Sequence, residues 1–159
     1  MKTIIIYAGK NGTTSKCAKM LSEKLNETDM INLNELIPNI AEYDSIIIGS
    51  HIRIGKFHPK VKEFIKDNRS LLLHKKCAYF ICCGLATKYE EYFKGNIDEE
   101  LLSKAVIYNT FGGQMDIEKL KGLDKFIVSM VKKTKEGKET VEILENNINE
   151  FAKKIKEVI

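Results

Sequence analysis

Tryptophan is missing from this 159-residue chain, and proline occurs only twice. Charge and hydrophobicity run evenly from end to end, with no linker-like, repetitive or low-complexity stretch, and the length fits one domain over residues 1–159. No run approaches the ~20 apolar residues that a membrane-spanning helix needs. The first apolar run is too short, and lacks the small-residue cleavage site, for a secretory leader. The four cysteines, Cys17, Cys77, Cys82 and Cys83, show no paired metal-ligand spacing, so no metal site is expected and reduced thiols in the cytoplasm are the natural reading. No Arg/Lys block interleaved with aromatics accompanies the net charge of +4, and no nucleic-acid surface is indicated.

What is present is enough apolar material for a core, 43% of residues, arranged in five short runs bounded by turn residues. They cover 3–8, 30–33, 45–49, 77–83 and 105–111. The triplets Ile4-Ile5-Ile6 and Ile46-Ile47-Ile48 are continuously apolar rather than alternating, as strands buried on both faces of a parallel sheet require. Helical periodicity fills the gaps. Cys17, Leu21 and Leu25 share one face, and Pro59 opens a helix whose apolar side is Val61, Phe64 and Ile65. Val141, Leu144, Ile148, Phe151, Ile155 and Val158 define the last helix. Only a turn or short helix fits between the second and third strands. This β-α alternation predicts a doubly wound, three-layer α/β/α fold around a five-stranded parallel sheet. A segment over 112–136, a Gly-Gly turn followed by a broken amphipathic stretch, exceeds what such a fold needs.

In doubly wound sheets ligands sit beyond the C-terminal ends of the strands, where strand order reverses. That points to the loops after strands one and three. The first reads Gly9-Lys10-Asn11-Gly12-Thr13-Thr14-Ser15 and leads directly into a helix. Two glycines let the backbone curl, so that N–H groups and hydroxyls can face an anion. A plain polar turn with an N-cap fits the same residues. The order of residues is wrong for a P-loop, the dinucleotide fingerprint is absent, and no acidic residue follows strand one or three, which leaves a phosphate bound without a metal.

Residues 9–14 resemble the flavodoxin phosphate loop, [TS]-x-T-G-x-T, with Gly12 and Thr14 matching and Gly9 and Asn11 replacing two hydroxyl residues. The segment 49–58, Gly-Ser-His-Ile-Arg-Ile-Gly-Lys-Phe-His, is similar to the G-[AS]-x-I-R-[YI]-G-x-[FY]-H segment of the flavodoxin-like protoporphyrinogen dehydrogenases of bacterial haem synthesis. The likeness extends to residues 135–140, ahead of the last helix. It implies a flavodoxin-like fold of strand order 2-1-3-4-5 holding FMN without a covalent bond. Gly9, Lys10, Asn11, Gly12, Thr13 and Thr14 would hold the phosphate. Ser50, His51, Ile52, Arg53, Ile54 and Gly55, with the turn Cys83, Gly84, Leu85 and Ala86, would flank the ring. With no tryptophan to stack there, the nearest aromatics are Phe57 and Tyr89.

Arg53 suits either the electron-rich edge of a reduced flavin or an anionic substrate, and equally a surface ion pair. His58 and His51 could move protons or serve as capping and loop histidines. Cys83 reads as a small buried residue. Carrier flavodoxins are strongly acidic, whereas this chain is net positive, with Arg53 and Lys56 beside the expected ring. The resemblance therefore implies an FMN-dependent dehydrogenase acting on a small-molecule substrate and passing electrons to a quinone or a redox partner protein. A carrier flavodoxin and an FMN-binding regulatory module without turnover are the alternatives. Peripheral contact with a membrane stays open, as does the oligomeric state.

Overall fold

The computed structural model describes residues 1–10, 12–113 and 142–159. Strand β1 (Thr3–Ala8) leads into helix α1 (Thr13–Leu25), followed by β2 (Thr28–Asn32). After a turn come β3 (Ser45–Arg53), the two-residue β4 (Lys56–Phe57) and α2 (Pro59–Leu72). Then follow β5 (Lys76–Cys82), a 3-10 turn at Ala86–Lys88, α3 (Tyr89–Asn96), α4 (Glu99–Ser103), β6 (Tyr108–Thr110) and α5 (Glu145–Val158). The order across the sheet is β2-β1-β3-β5-β6, and β4 pairs only with β3. Apart from that antiparallel β3–β4 pair, all neighbours run parallel. Setting aside β4, this is the 2-1-3-4-5 order expected.

The isoleucine triplets explain the layering. In a strand, successive side chains leave by opposite faces. Ile4, Ile6, Ile46 and Ile48 enter one buried cluster, with Val61 and Phe64 of α2, Phe93 of α3 and Leu101 of α4. Ile5 and Ile47 enter the other, with Leu21 of α1 and Ile148 and Phe151 of α5. Each buried isoleucine contributes about 1.5–3 kcal/mol of transfer free energy. A polar residue at any of these six positions would lose that on one face or the other.

Three boundaries differ from expectation by three residues or more, the others by two at most. The last regular strand covers only 108–110 rather than 105–111. Its pairing nevertheless extends further, since Val106 N–H donates to Cys77 O (2.8 Å) and Phe111 N–H to Ile81 O (2.8 Å). The last helix starts at Glu145, with Leu144 as its N-cap, because the Leu144 N–H is already committed to Phe111 O at 2.8 Å. The third strand runs on to Arg53, four residues beyond Gly49, with consequences for the site. Val141, the motif at 135–140 and the segment from 114 on lie outside the described residues. Gly112 and Gly113 are described, and Gly112 forms an antiparallel bridge with Ile143.

Candidate functional site

Because β1, β3 and β5 are parallel, the loops that follow them share one edge of the sheet. The chain leaves β1 for β2 on one side and returns to β3 on the other, so the strand-order reversal falls between β1 and β3. The loop after β1 is held tightly. An added Cβ at Gly9 would lie 2.5 Å from Thr14 Oγ1 and 2.8 Å from Thr14 Cβ, leaving room for hydrogen only. Gly12, at φ +80°, is the N-cap of α1 and offers no capping side chain, and the first turn of α1 carries no acidic residue. A helix start of this kind, curled by glycines and clear of carboxylates, fits a phosphate. The Tyr7 hydroxyl lies 3.2 Å from Ser15 Oγ and ties the strand end to the first turn. Thr14 is buried at 1% exposure, with its hydroxyl against Gly9 and near Cys82. The outer face of the loop is left to main-chain groups and the half-buried Thr13 and Ser15. Asn11 lies outside the described residues.

Residues 50–55, expected as a loop, are a hairpin instead. Ile52 pairs with Phe57 and Arg53 with Lys56, and Ile54-Gly55 form a two-residue turn at φ +52° and +71°. Positive φ at both central residues matches the right-handed strand twist and ordinarily selects Asn-Gly. A β-branched residue in the left-handed region costs on the order of 1–3 kcal/mol. Ile54 recovers little of that by burial, being 65% exposed. Ile54→Asn should therefore raise the stability of the flavin-free protein by about 1 kcal/mol in urea unfolding, while weakening whatever docks on the tip. A loss of stability would mean that the isoleucine is held by packing rather than strained.

Asn96, at the end of α3, clamps this hairpin. Its Nδ2 donates to Gly55 O (2.9 Å) and Tyr92 O (2.8 Å), and its Oδ1 accepts the Phe57 N–H (3.0 Å). The Tyr92 ring comes within 4.0 Å of the Cβ position of Gly55. Sequence reasoning missed both residues. An amide at a helix end is an unremarkable local signal, and its partners lie about forty positions away.

The base of the hairpin is equally fixed. Buried Ser50 donates its hydroxyl to His51 O and accepts the His58 N–H, both at 2.9 Å. His51 Nδ1 accepts the Lys10 N–H at 3.0 Å. His58, one of the two catalytic candidates, is the N-cap of α2, its Nδ1 accepting the Lys60 N–H at 3.1 Å. Burial, and secondarily Lys60, push its pKa below 6.5. The neutral ring that capping requires is thus favoured at neutral pH. The His51 and His58 rings lie 5.1 Å apart. Arg53, the other catalytic candidate, is exposed at the strand end next to Ile54.

The third group, after β5, is partly buried. Cys83 is 4% exposed, its thiol 3.5 Å from Thr110 Oγ1 and its pKa raised by burial. That is the small buried residue anticipated. Gly84 and Leu85 are half-buried, and buried Ala86 begins the 3-10 turn. Gly113 backs this turn, its Cβ position 3.0 Å from Cys83 O. Of the aromatics considered for stacking, Phe57 is buried edge-on against Phe93 and points into the core. Tyr89 packs on Phe93 and Tyr108. Ile52, half-buried, and exposed Ile54 are the apolar groups the hairpin presents.

The family description of the flavodoxin domain matches residues 4–142. The chain belongs to the flavodoxin domain family. It is similar to the protoporphyrinogen IX dehydrogenase [quinone] of Escherichia coli K12, 30% identical over 96 residues that make up 57% of this chain and 53% of that enzyme. The match thus spans about half the length of that relative. Among solved structures, oxidised Flavodoxin 1 from Bacillus cereus covers 100% of this flavodoxin-family chain and 99% of its own, at TM-score 0.63 and 18% identity. A Lactobacillus acidophilus flavoprotein in complex with FMN covers 69% of the chain and 92% of its own, at TM-score 0.55 and 16% identity. These likenesses establish the fold. Among the described residues, no helix is long and apolar enough to cross a membrane.

Proposed function

We propose that the chain holds FMN on the loop 9–14, with the hairpin 50–55 and the turn 83–86 beside the ring, and works as a dehydrogenase passing electrons to a quinone or another acceptor. Bound FMN supplies the capacity to take up and release electrons. The chain's own part is to hold the phosphate at the start of α1, to keep the ring edge between two fixed turns, and to set the charge around it. The observation that carries the reading is the hairpin: Arg53 and Lys56 face each other across its two strands and bring positive charge to the rim of the crevice. Positive charge there favours the negative charge that a ring gathers on reduction, and raises its potential. That suits a protein taking electrons from a substrate. The name of the E. coli relative supports a porphyrinogen substrate and a quinone acceptor. Arg53 then serves also to meet a substrate carboxylate, and His58, through Nε2, is the candidate for proton transfer. In this reading the chain acts as one domain in the cytoplasm, where its four buried thiols stay reduced.

The test begins with colour. The purified protein, reconstituted if necessary, should bind one FMN and release FMN rather than FAD on denaturation. Arg53→Ala should lower the two-electron potential by about 30 mV, a tenfold change in preference for the reduced form, and slow oxidation of a carboxylate-bearing porphyrinogen. Bound FAD, or no flavin, would overturn the cofactor. Unchanged potential and unchanged turnover would leave Arg53 as a surface residue and favour a carrier flavodoxin.

A further inference from the structure

We propose that His51 is a positioning residue that pins the phosphate loop to the hairpin and so presets the loop for a phosphate; the inference rests on the FMN reading above. The Lys10 N–H, in the middle of the loop after β1, donates to His51 Nδ1 across 41 positions of sequence. A loop of this composition, with glycine at 9 and 12, has many conformations open to it. A hydrogen bond from Lys10 to a neighbouring strand removes part of that freedom.

The pin depends on how His51 itself is held, by its main chain and by a neighbouring ring. The main chain of His51 accepts the Ser50 hydroxyl, which in turn accepts the His58 N–H. On the ring side His58 lies 5.1 Å away, tilted by 47°, and its own ring is fixed by capping α2. Phosphate loop, hairpin base and the start of α2 thus form one hydrogen-bonded unit. Accepting at Nδ1 places the ring proton of His51 on Nε2. The Lys10 amide is directed at the hairpin, so His51 shapes the cradle without being part of it. Ordering the loop before the ligand arrives removes an entropy cost from binding, and does so for phosphate-bearing ligands in particular.

The experiment compares wild type with His51→Ala, His51→Asn and His51→Gln. Asparagine places an acceptor where Nδ1 was, whereas glutamine reaches toward the Nε2 position. Hydrogen exchange of the Lys10 amide is read on the flavin-free protein, and FMN and riboflavin affinities by fluorescence quenching. His51→Ala should lose Lys10 protection and weaken FMN about 3- to 10-fold, the worth of one net hydrogen bond, while riboflavin, whose ring meets the same hairpin but which lacks the phosphate, should lose clearly less. His51→Asn should restore both readouts and His51→Gln neither. Unchanged Lys10 protection in His51→Ala, equal losses for FMN and riboflavin, or rescue by glutamine as good as by asparagine would overturn the pin. Should the alanine variant not fold, the asparagine–glutamine contrast decides alone. Should wild type bind no flavin, the cofactor reading falls while the exchange data still judge the pin.

Discussion

Gly49→Ala should destabilise the protein by about 3 kcal/mol or more, the upper end of what an overpacked core costs, and lower its Tm by about 6–12 °C. A Cβ at Gly49 would fall 2.5 Å from Phe80 Cε2 and nearer still to two further ring atoms. Gly49 and Phe80 are register partners on β3 and β5, and the Phe80 ring lies over the glycine. The ring cannot swing aside. Phe111 stacks on it at 4.6 Å and 13°, and Phe151 meets it edge-on at 6.3 Å. Phe111 and Phe151 are themselves in contact at 5.2 Å. Relief must come from displacing β3, whose next residues are Ser50 and His51. Adding Phe80→Leu to Gly49→Ala should recover part of the loss. A single variant within about 0.5 kcal/mol of wild type, the range of an ordinary surface change, would show that the aromatic trio yields more easily than its geometry indicates.

Gly9→Ala should weaken FMN by about 100-fold, two tenfold steps of about 1.4 kcal/mol each, and leave the fold intact. Here the added methyl meets Thr14 Oγ1 and Cβ. Thr14 is wedged beneath the loop with Cys82 behind it, so the loop rather than the helix has to lift. Lifting it costs the bound ligand one or two hydrogen bonds to a charged phosphate, each worth about 1.5–3 kcal/mol. Riboflavin, which has no phosphate, provides the control and should bind nearly as before. If both ligands lose equally, the close approach of Gly9 to Thr14 belongs to folding and the phosphate lies elsewhere.

The parts of this protein legible in its sequence are those governed by short-range pattern. Ile4-Ile5-Ile6 and Ile46-Ile47-Ile48 announce strands covered on both faces because no alternating polar residue interrupts them. Pro59 marks the first turn of α2 because its ring fits only there. The hairpin was hidden for the opposite reason. Ile54-Gly55 lacks the Asn-Gly signature, and β4 is two residues long, so nothing local distinguishes a turn from a continuing loop. The residues that hold it, Asn96 at one end and His51 and Ser50 at the other, act across the fold and carry no periodicity. The capping role of His58 was open to sequence reasoning, since a histidine directly before a helix-opening proline can take the first-turn amide. The start of α5 was misjudged because Leu144 keeps the apolar rhythm while its N–H serves β6.

The sheet ends on β2, which among the described residues pairs only with β1. An edge of this kind invites a further strand from another molecule. Here the edge carries Asp29, exposed beside the central Met30, and its carboxylate accepts the Tyr43 hydroxyl at 2.7 Å. That bond, with burial, pushes the phenol up to about 12, so the proton stays on the tyrosine. A strand docking along β2 would have to desolvate this carboxylate beside its own backbone carbonyls. The acidic residue thereby works against runaway sheet growth along β2, while the basic hairpin belongs to β3, two strands in from that edge.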